Sequence, residues 1–224
     1  MTGIIQLRQL LREKFPGLAT RAEELPVHRR DGWSTGIARL DDRLGGGFPK
    51  SAISEVVAPR AGAGSALLLL QLLRRAASQN QFMALIDGRD SFDAAAVEAS
   101  TLTRLLWMRC HHAEEAIKAA DLVLRDGNLQ VVLLDLVLNP AVELRKVPAP
   151  AWYRFQRLVE NSNVVLVAFT PRAMISPAEV RVTLRSRFGL KAVEADQMKL
   201  TMELDFAVSE ARPSAEEEPL RKTA

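Results

Sequence analysis

The sequence has 224 residues, of which 48% are hydrophobic and 25% are charged, and its formal net charge is +3. A chain of this length can bury one substantial core, so we expect a single domain. The longest apolar stretch, residues 66–73, is interrupted by Gln71, which excludes a membrane-spanning helix. A single cysteine, Cys110, excludes an internal disulfide and a cysteine-rich zinc site. The first 15 residues lack a long apolar segment and a cleavage site, so we expect a cytoplasmic protein.

The first predicted element is a short amphipathic helix over residues 4–14. Apolar residues recur there at spacings of three and four, namely Ile4, Leu7, Leu11 and Phe15. Pro16 and Gly17 end the pattern, and the polar stretch up to residue 30 is typical of a linker. Residues 1–30 are therefore predicted to be a helix and linker that precede the globular core.

Strands and helices alternate from residue 51 onward. The pattern predicts strands at 52–58, 82–87, 105–108, 129–134 and 164–169, and helices at 65–77, 92–102, 114–125 and 152–160. Several of these strands are apolar throughout, which is typical of strands that are buried on both faces. We therefore predict an α/β fold with a mostly parallel central sheet, covered by helices on both faces and joined by right-handed crossovers.

The pattern changes near the end of the chain. Residues 180–184 and 200–206 alternate at a period of two, which predicts an antiparallel pair that extends the sheet. The last residues, 209–224, are too polar and charged to build a core, so we predict a disordered tail that could contact a partner. The globular core is accordingly predicted to span residues 31–208.

The turn after the first long strand is the first place to look for a ligand site, because ligands of open parallel sheets bind at the carboxyl ends of the strands. A working phosphate loop has the pattern GxxxxGK[ST], in which backbone N–H groups surround phosphate and lysine neutralises it. In this chain the two glycine positions hold Ala58 and Ala63, and the lysine position holds Gly64. Only Ser65 matches the pattern, which favours a structural turn of small residues.

Three other features have weaker functional interpretations. Asp135 ends an apolar strand, where a phosphate-loop enzyme holds its magnesium, but an aspartate there also serves as a turn or capping residue. Cys110, His111 and His112 are adjacent, yet no further ligands stand out, so we expect surface histidines and no metal. Of the three tryptophans, Trp152 is expected to be the most exposed because prolines precede it.

The segment 34–57, STGIARLDDRLGGGFPKSAISEVV, resembles the entry to the core of the RecA recombinase family. Later segments are similar too: FMALIDGRDSFD resembles the second core strand and its loop, LQVVLLDLVLNP the magnesium-binding strand, and VVLVAFTPR the strand that senses nucleotide. RVTLRSRFG resembles the start of the antiparallel part. The resemblance covers residues 31–208 and implies a RecA-like fold.

The departures from the RecA pattern favour a chain without ATPase activity. Arg89 stands where RecA carries its catalytic glutamate, and a guanidinium cannot activate a water. With the loop glycines and the lysine replaced as well, the chain resembles the family of ImuA, the RecA-like accessory of bacterial translesion synthesis. SulA, which inhibits cell division, belongs to the same group.

This resemblance implies a non-catalytic adaptor in the SOS response to DNA damage, which supports translesion synthesis and induced mutagenesis. The implied partners are an ImuB-type Y-family-like protein, an error-prone polymerase α subunit and RecA itself, with weak single-stranded DNA binding at low salt. The N-terminal helix would contact a partner or a second copy through Ile4, Leu7, Leu11 and Phe15, steered by Arg8 and Arg12, or would instead fold onto its own core. We expect no resident cofactor, although a helix N-terminus leaves room for weak phosphate or ATP binding.

Two alternatives stay open from the sequence. The chain could be a SulA-like inhibitor that acts on FtsZ. It could also be a DNA-binding recombination mediator or a weak ATPase, with its missing cation supplied by Arg60 or by a neighbouring subunit.

Overall fold

The computed structural model describes residues 32–189, 192 and 194–210. The predicted N-terminal helix, with all six of its proposed contact residues, lies outside the described residues, and so does the tail from residue 211 onward. Over the described ranges, no helix combines the length and the apolar character needed to cross a bilayer.

The described chain alternates strands and helices, as the sequence predicts. In chain order the elements are β1 (Gly32–Trp33), α1 (Ala38–Leu44), β2 (Phe48–Pro49), β3 (Ala52–Val57), α2 (Ser65–Ser78), β4 (Met83–Asp87), a 3-10 turn (Ala94–Ala96), α3 (Ala99–Leu102), β5 (Leu105–Arg109), α4 (Ala113–Asp126), β6 (Val131–Asp135), α5 (Ala141–Leu144), α6 (Ala149–Glu160), β7 (Val165–Thr170), β8 (Val180–Leu184), α7 (Gln197–Met202) and β9 (Phe206–Glu210).

Seven strands form the central sheet in the order β5-β4-β6-β7-β3-β8-β9. Neighbours pair in parallel everywhere except β8 and β9, which are antiparallel. The short strands β1 and β2 form a separate antiparallel pair. The predicted fold class is confirmed, including the antiparallel end. The carboxyl ends of β3, β4, β6 and β7 meet at one edge of the sheet, which positions the candidate site.

The sheet is buried on both faces. Successive residues of β6 enter different apolar layers: Leu133 packs in the layer that contains α2, and Leu134 packs in the layer that contains α4 and α6. Side chains of a strand point alternately to the two faces, so a strand covered on both faces must be apolar at every position. This explains the unbroken apolar runs in the sequence.

The turn that precedes α1 is held by one aspartate. The Asp41 carboxylate accepts hydrogen bonds from the Ser34 hydroxyl at 2.7 Å and from the Thr35 N–H and hydroxyl at 2.8 and 2.7 Å. A side chain that satisfies several donors at a helix start fixes the path of the chain there. The Ser-Thr-Gly and Leu-Asp motifs of the sequence are therefore two halves of one structural unit.

The predicted helix over 92–102 is wrong in its first half. Phe92 is not helical, because its N–H and that of Ser91 each donate to the Asp87 carboxylate at 2.8 Å. A 3-10 turn follows at Ala94–Ala96, and Val97 is extended with φ −124° and ψ 155° before α3 begins. The anchoring carboxylate overrides the helical pattern of apolar residues at this point.

The predicted strand over 200–206 is also wrong in its first part. Residues 200–202 belong to α7, whose start is capped by Asp196: its carboxylate accepts the N–H groups of Met198 and Lys199 at 2.7 and 3.1 Å. The strand begins only at Phe206 and continues through Ser209 and Glu210, which the sequence had placed in the tail. The capping aspartate was the signal that the period-two interpretation overlooked.

Trp152 is buried and not exposed as predicted. It is 2% exposed and packs edge-on against Phe155 at a ring distance of 5.7 Å. The preceding prolines begin α6, and this helix turns Trp152 toward the sheet. No stacking role for Trp152 follows from this position.

Candidate functional site

A cleft of about 540 Å³ lies at the carboxyl-end edge of the sheet. It is bordered by the loop after β3, the start of α2, the loop after β4, the end of β6 and the loop after β7. We call it the carboxyl-end cleft. Its lining is formed by Ala58, Pro59, Arg60, Ala61, Gly62, Ser65, Ala66, Leu69, Leu70, Ser91, Phe92, Asp93, Ala96, Asp135, Val137, Leu138 and Pro171.

The structure brings four of the sequence-predicted loop residues together at the start of α2. Ala58 and Ala63 are buried, Gly64 is the residue before the helix, and Ser65 begins the helix and lines the cleft. The loop is therefore placed where a phosphate loop would be, between a strand and the first turn of a helix. Its residues differ from those of a phosphate loop at both glycine positions and at the lysine position.

A side chain on Gly64, at the lysine position, would require its packed neighbours to move. Its φ is 100°, a backbone conformation that favours glycine, and a Cβ atom built there would overlap Cδ2 of Leu204. The same Cβ would also lie 3.4 Å from the Phe188 ring. Leu204 is only 1% exposed and belongs to the apolar core that includes α2. The space above Gly64 is therefore filled by Phe188 and Leu204, which lie in the connection between β8 and β9.

Gly62 contacts the same segment of the chain, although it also lines the cleft. The Phe188 N–H donates to the Gly62 carbonyl at 3.0 Å, and a Cβ on Gly62 would overlap the Phe188 carbonyl oxygen. Gly62 has φ 70°, which a residue with a side chain adopts only with strain. The loop between β3 and α2 is thus pinned by backbone and side-chain contacts to the segment that follows β8.

Asp135 ends β6 and lines the cleft, as its place in the sequence suggested. Its Oδ1 accepts the Val137 N–H at 3.0 Å, and none of the described residues donates to Oδ2. Burial raises the pKa of Asp135 to about 6, the Val137 N–H acts in the opposite direction, and the neighbouring Asp87 raises it further.

Asp87 ends β4 and Arg89 lies in the loop that follows, and neither residue lines the cleft. The buried Asp87 carboxylate is occupied by hydrogen bonds from the Ser91 and Phe92 N–H groups. Arg89 is outside the cleft lining: its Nη1 donates to the His111 carbonyl at 2.7 Å and lies 3.9 Å from Glu143. At the position of the RecA glutamate, this chain therefore carries a cation that points toward the start of α4.

Arg60 is the single cation among the described residues that line the cleft. Its Nη2 donates to the Arg185 carbonyl at 2.8 Å, which ties the guanidinium to the end of β8. Hydrolysis of a magnesium nucleotide needs a cation at the loop and a residue that orients the attacking water. The residues present do not fit that requirement, since Gly64 and Arg89 occupy the two positions and Arg60 already has a partner.

A buried ion pair near the cleft was not predicted from the sequence. The Glu55 carboxylate, fully buried in β3, accepts Nε of Arg181 at 2.7 Å, the Thr170 hydroxyl at 3.0 Å and the Met174 N–H at 2.8 Å. These bonds join β3, β7 and β8. A glutamate inside an otherwise apolar strand is the signal that could have found it, because a buried charge needs a partner.

The candidate metal ligands of the sequence do not converge. Cys110 is buried, and His112 Nδ1 lies 3.4 Å from Glu143. Among the residues placed by the structure, no three His, Cys, Asp or Glu side chains form a group that could hold a metal ion.

Comparison with known proteins places this fold in a family. The model of the RecA N-terminal domain matches residues 19–146, which is more than half of the chain. The chain belongs to the RecA N-terminal domain family. The RecA-like interpretation of the segment 34–57 is thereby confirmed.

Curated relatives and a solved structure agree with the RecA family. Protein RecA of Thioalkalivibrio sulfidiphilus is 30% identical over 193 residues, which cover 82% of this chain and 56% of that protein. Protein RecA of Desulfotalea psychrophila is 27% identical over 151 residues, covering 60% of this chain and 42% of that protein. The chain thus spans about half the length of these RecA proteins. The crystal structure of the RadB recombinase shares the fold with a TM-score of 0.51 and 15% identity, covering 67% of this chain and 82% of that one.

Proposed function

We propose that this RecA-family chain is a non-catalytic adaptor of the ImuA type in bacterial DNA-damage tolerance. In this role it supports translesion synthesis and induced mutagenesis by binding an ImuB-type Y-family-like protein, an error-prone polymerase α subunit or RecA. Binding of partners, and not turnover of nucleotide, is its activity.

One observation carries the loss of catalysis in this proposal. The position of the phosphate-binding lysine holds a glycine with φ 100°, and the volume that a side chain would need is filled by Leu204. A transferring phosphoryl group develops charge that a lysine or arginine must stabilise, and removing such a clamp costs several powers of ten in rate. The orientation of Arg89 away from the cleft supports the same conclusion, because the water-activating acid is then missing as well.

The adaptor part of the proposal rests on the chain's charge and on the N-terminal sequence. A net charge of +3 supports only weak, salt-sensitive attraction to nucleic acid. The amphipathic pattern of residues 4–15 is typical of a helix that lies in a partner's groove.

The first experiment measures nucleotide turnover. Purified protein is incubated with ATP and magnesium, with and without single-stranded DNA, beside a RecA protein as a positive control. We expect release of phosphate at the background rate. Magnesium-dependent and DNA-dependent turnover that disappears in Asp135→Ala would contradict the proposal.

The second experiment identifies the partner class. Binding to the ImuB-type protein, the polymerase α subunit, RecA, FtsZ and single-stranded DNA is measured across a salt series from about 50 to 500 mM. We expect binding to one of the first three that changes little with salt, and DNA binding that fades as salt rises, because releasing counterions drives the latter. Binding to FtsZ alone would favour a division inhibitor, and tight, salt-resistant DNA binding would favour a recombination mediator.

A further inference from the structure

The carboxyl-end cleft is apolar on most of its surface. Six of its residues present large or rigid apolar groups: Leu69, Leu70, Phe92, Val137, Leu138 and Pro171. Its volume of about 540 Å³ falls in the range of pockets that bind ligands or anchoring side chains. A highly charged triphosphate gains little from such walls, whereas an apolar side chain gains free energy by leaving water.

The charges in the cleft favour a cation. Asp93 and Asp135 both line it, and Oδ2 of Asp135 has no donor among the described residues. Arg60, the cation on the lining, is bonded to the Arg185 carbonyl. The Asp135 carboxylate is half-buried at the end of β6, so a donor that reaches Oδ2 from the cleft is stabilised by a charge-assisted hydrogen bond.

One apolar residue of the cleft lining is largely exposed. Leu138 lines the cleft and is 61% exposed. A small molecule inside the cleft would leave part of this side chain in water. A segment of polypeptide that inserts one side chain would cover it as well, as anchoring residues of protein interfaces do.

We propose that the carboxyl-end cleft binds a segment of a partner protein in which an apolar side chain stands next to an arginine or lysine. The apolar side chain occupies the space between Leu69 and Val137, and the basic group donates to Asp135. This inference rests on the proposed function, because a bound nucleotide would compete for the same cleft.

The test uses the full chain with isotope-labelled leucine and valine methyl groups, followed by NMR. The probe is N-acetyl-leucyl-arginine amide, and the matched controls are N-acetyl-leucyl-glutamate amide and N-acetyl-glycyl-arginine amide. We expect the leucyl-arginine probe alone to shift the methyl signals of Leu69, Leu70, Val137 and Leu138 in a saturable way. Asp135→Asn should weaken that binding about tenfold or more, because a hydrogen bond to a charged group is lost. Met198→Ser, a change at an exposed apolar residue outside the cleft, should leave it unchanged.

The outcomes separate this inference from the proposed function. If no probe shifts the cleft signals, or if the glutamate probe binds as well as the arginine probe, the inference is wrong while the adaptor proposal stands. If magnesium ATP shifts the same signals and is hydrolysed, the adaptor proposal fails. Equal binding by the wild type and Asp135→Asn would also overturn the role given to the carboxylate.

Discussion

Replacing Gly64 by lysine tests whether the phosphate loop is blocked by its neighbours. The change restores the residue that the phosphate-loop pattern requires at this position. We expect it to lower the stability of the chain without creating an ATPase. The reason is that the lysine Cβ would have to occupy the space of Leu204, and its backbone would have to keep φ 100°.

The size of the effect follows from two contributions. A residue with a side chain in a left-handed conformation costs about 1–2 kcal/mol, and overpacking a core costs about 1–3 kcal/mol. Together they lower the free energy of unfolding by about 2–5 kcal/mol, which is less than the total stability of a typical domain. For a domain of this size the melting temperature should fall by roughly 5–15 °C.

Thermal melts and phosphate release of Gly64→Lys and three further variants measure these contributions. Gly64→Ala introduces the backbone strain and the Cβ overlap without the rest of the lysine side chain. Leu204→Ala removes the blocking side chain at a cost of about 2–5 kcal/mol. The double variant Gly64→Lys, Leu204→Ala should lose less unfolding free energy than the two single variants together, by more than about 1 kcal/mol, since the two residues share one space. A Gly64→Lys protein that melts like the wild type, or that hydrolyses ATP, would refute the reasoning.

Three further outcomes are expected. The stability of the wild type should fall relative to Asp135→Asn as pH rises from about 4 to 6. The pKa of Asp135 is raised from 3.8 to about 6, so folding favours its protonated form. Denaturant melts across this pH range measure the difference, and parallel stability curves would contradict the prediction. Glu55→Gln should lower the free energy of unfolding by about 3 kcal/mol, because the partly buried Arg181 guanidinium loses its charged partner, and urea unfolding would record a much smaller change if the ion pair contributed nothing. Leu7→Asp and Leu11→Asp should abolish partner binding in pull-down assays at an unchanged melting temperature, whereas unfolding would mean that the N-terminal helix belongs to its own core.

The sequence predicts most of the fold because its signals are local and consistent. The apolar run of β6 and the spacing of apolar residues in α4 each fit one structure only, and the structure confirms both. The errors arise where a single polar side chain decides the backbone. Asp87 holds Phe92 out of a helix, and Asp196 starts a helix inside an alternating pattern.

The candidate site was only partly predictable for a different reason. The composition of the loop before α2 indicated small residues, and these are what the structure places there. Nothing near Gly64 in the sequence, however, points to Leu204, because that contact joins residues 140 positions apart. Contacts of this kind depend on which strand lies beside which, and a single sequence does not encode that order in any local pattern.

The contact between Gly64 and Leu204 joins the loop before α2 to the segment that precedes β9. Leu204 lies in the apolar layer beneath α2, and α2 is linked to α7 by the hydrogen bond of Arg74 to Gln197 at 3.1 Å. The loop is therefore held on the side facing Leu204, while Asp135 and the apolar walls of the carboxyl-end cleft remain accessible from the other side. A lysine at position 64 would overlap packed core side chains, whereas a partner's side chain that enters the cleft displaces only water. This asymmetry favours a binding role over a catalytic one, because the position of the phosphate-binding lysine is packed against the folded core and the cleft that remains open is suited to apolar and basic groups.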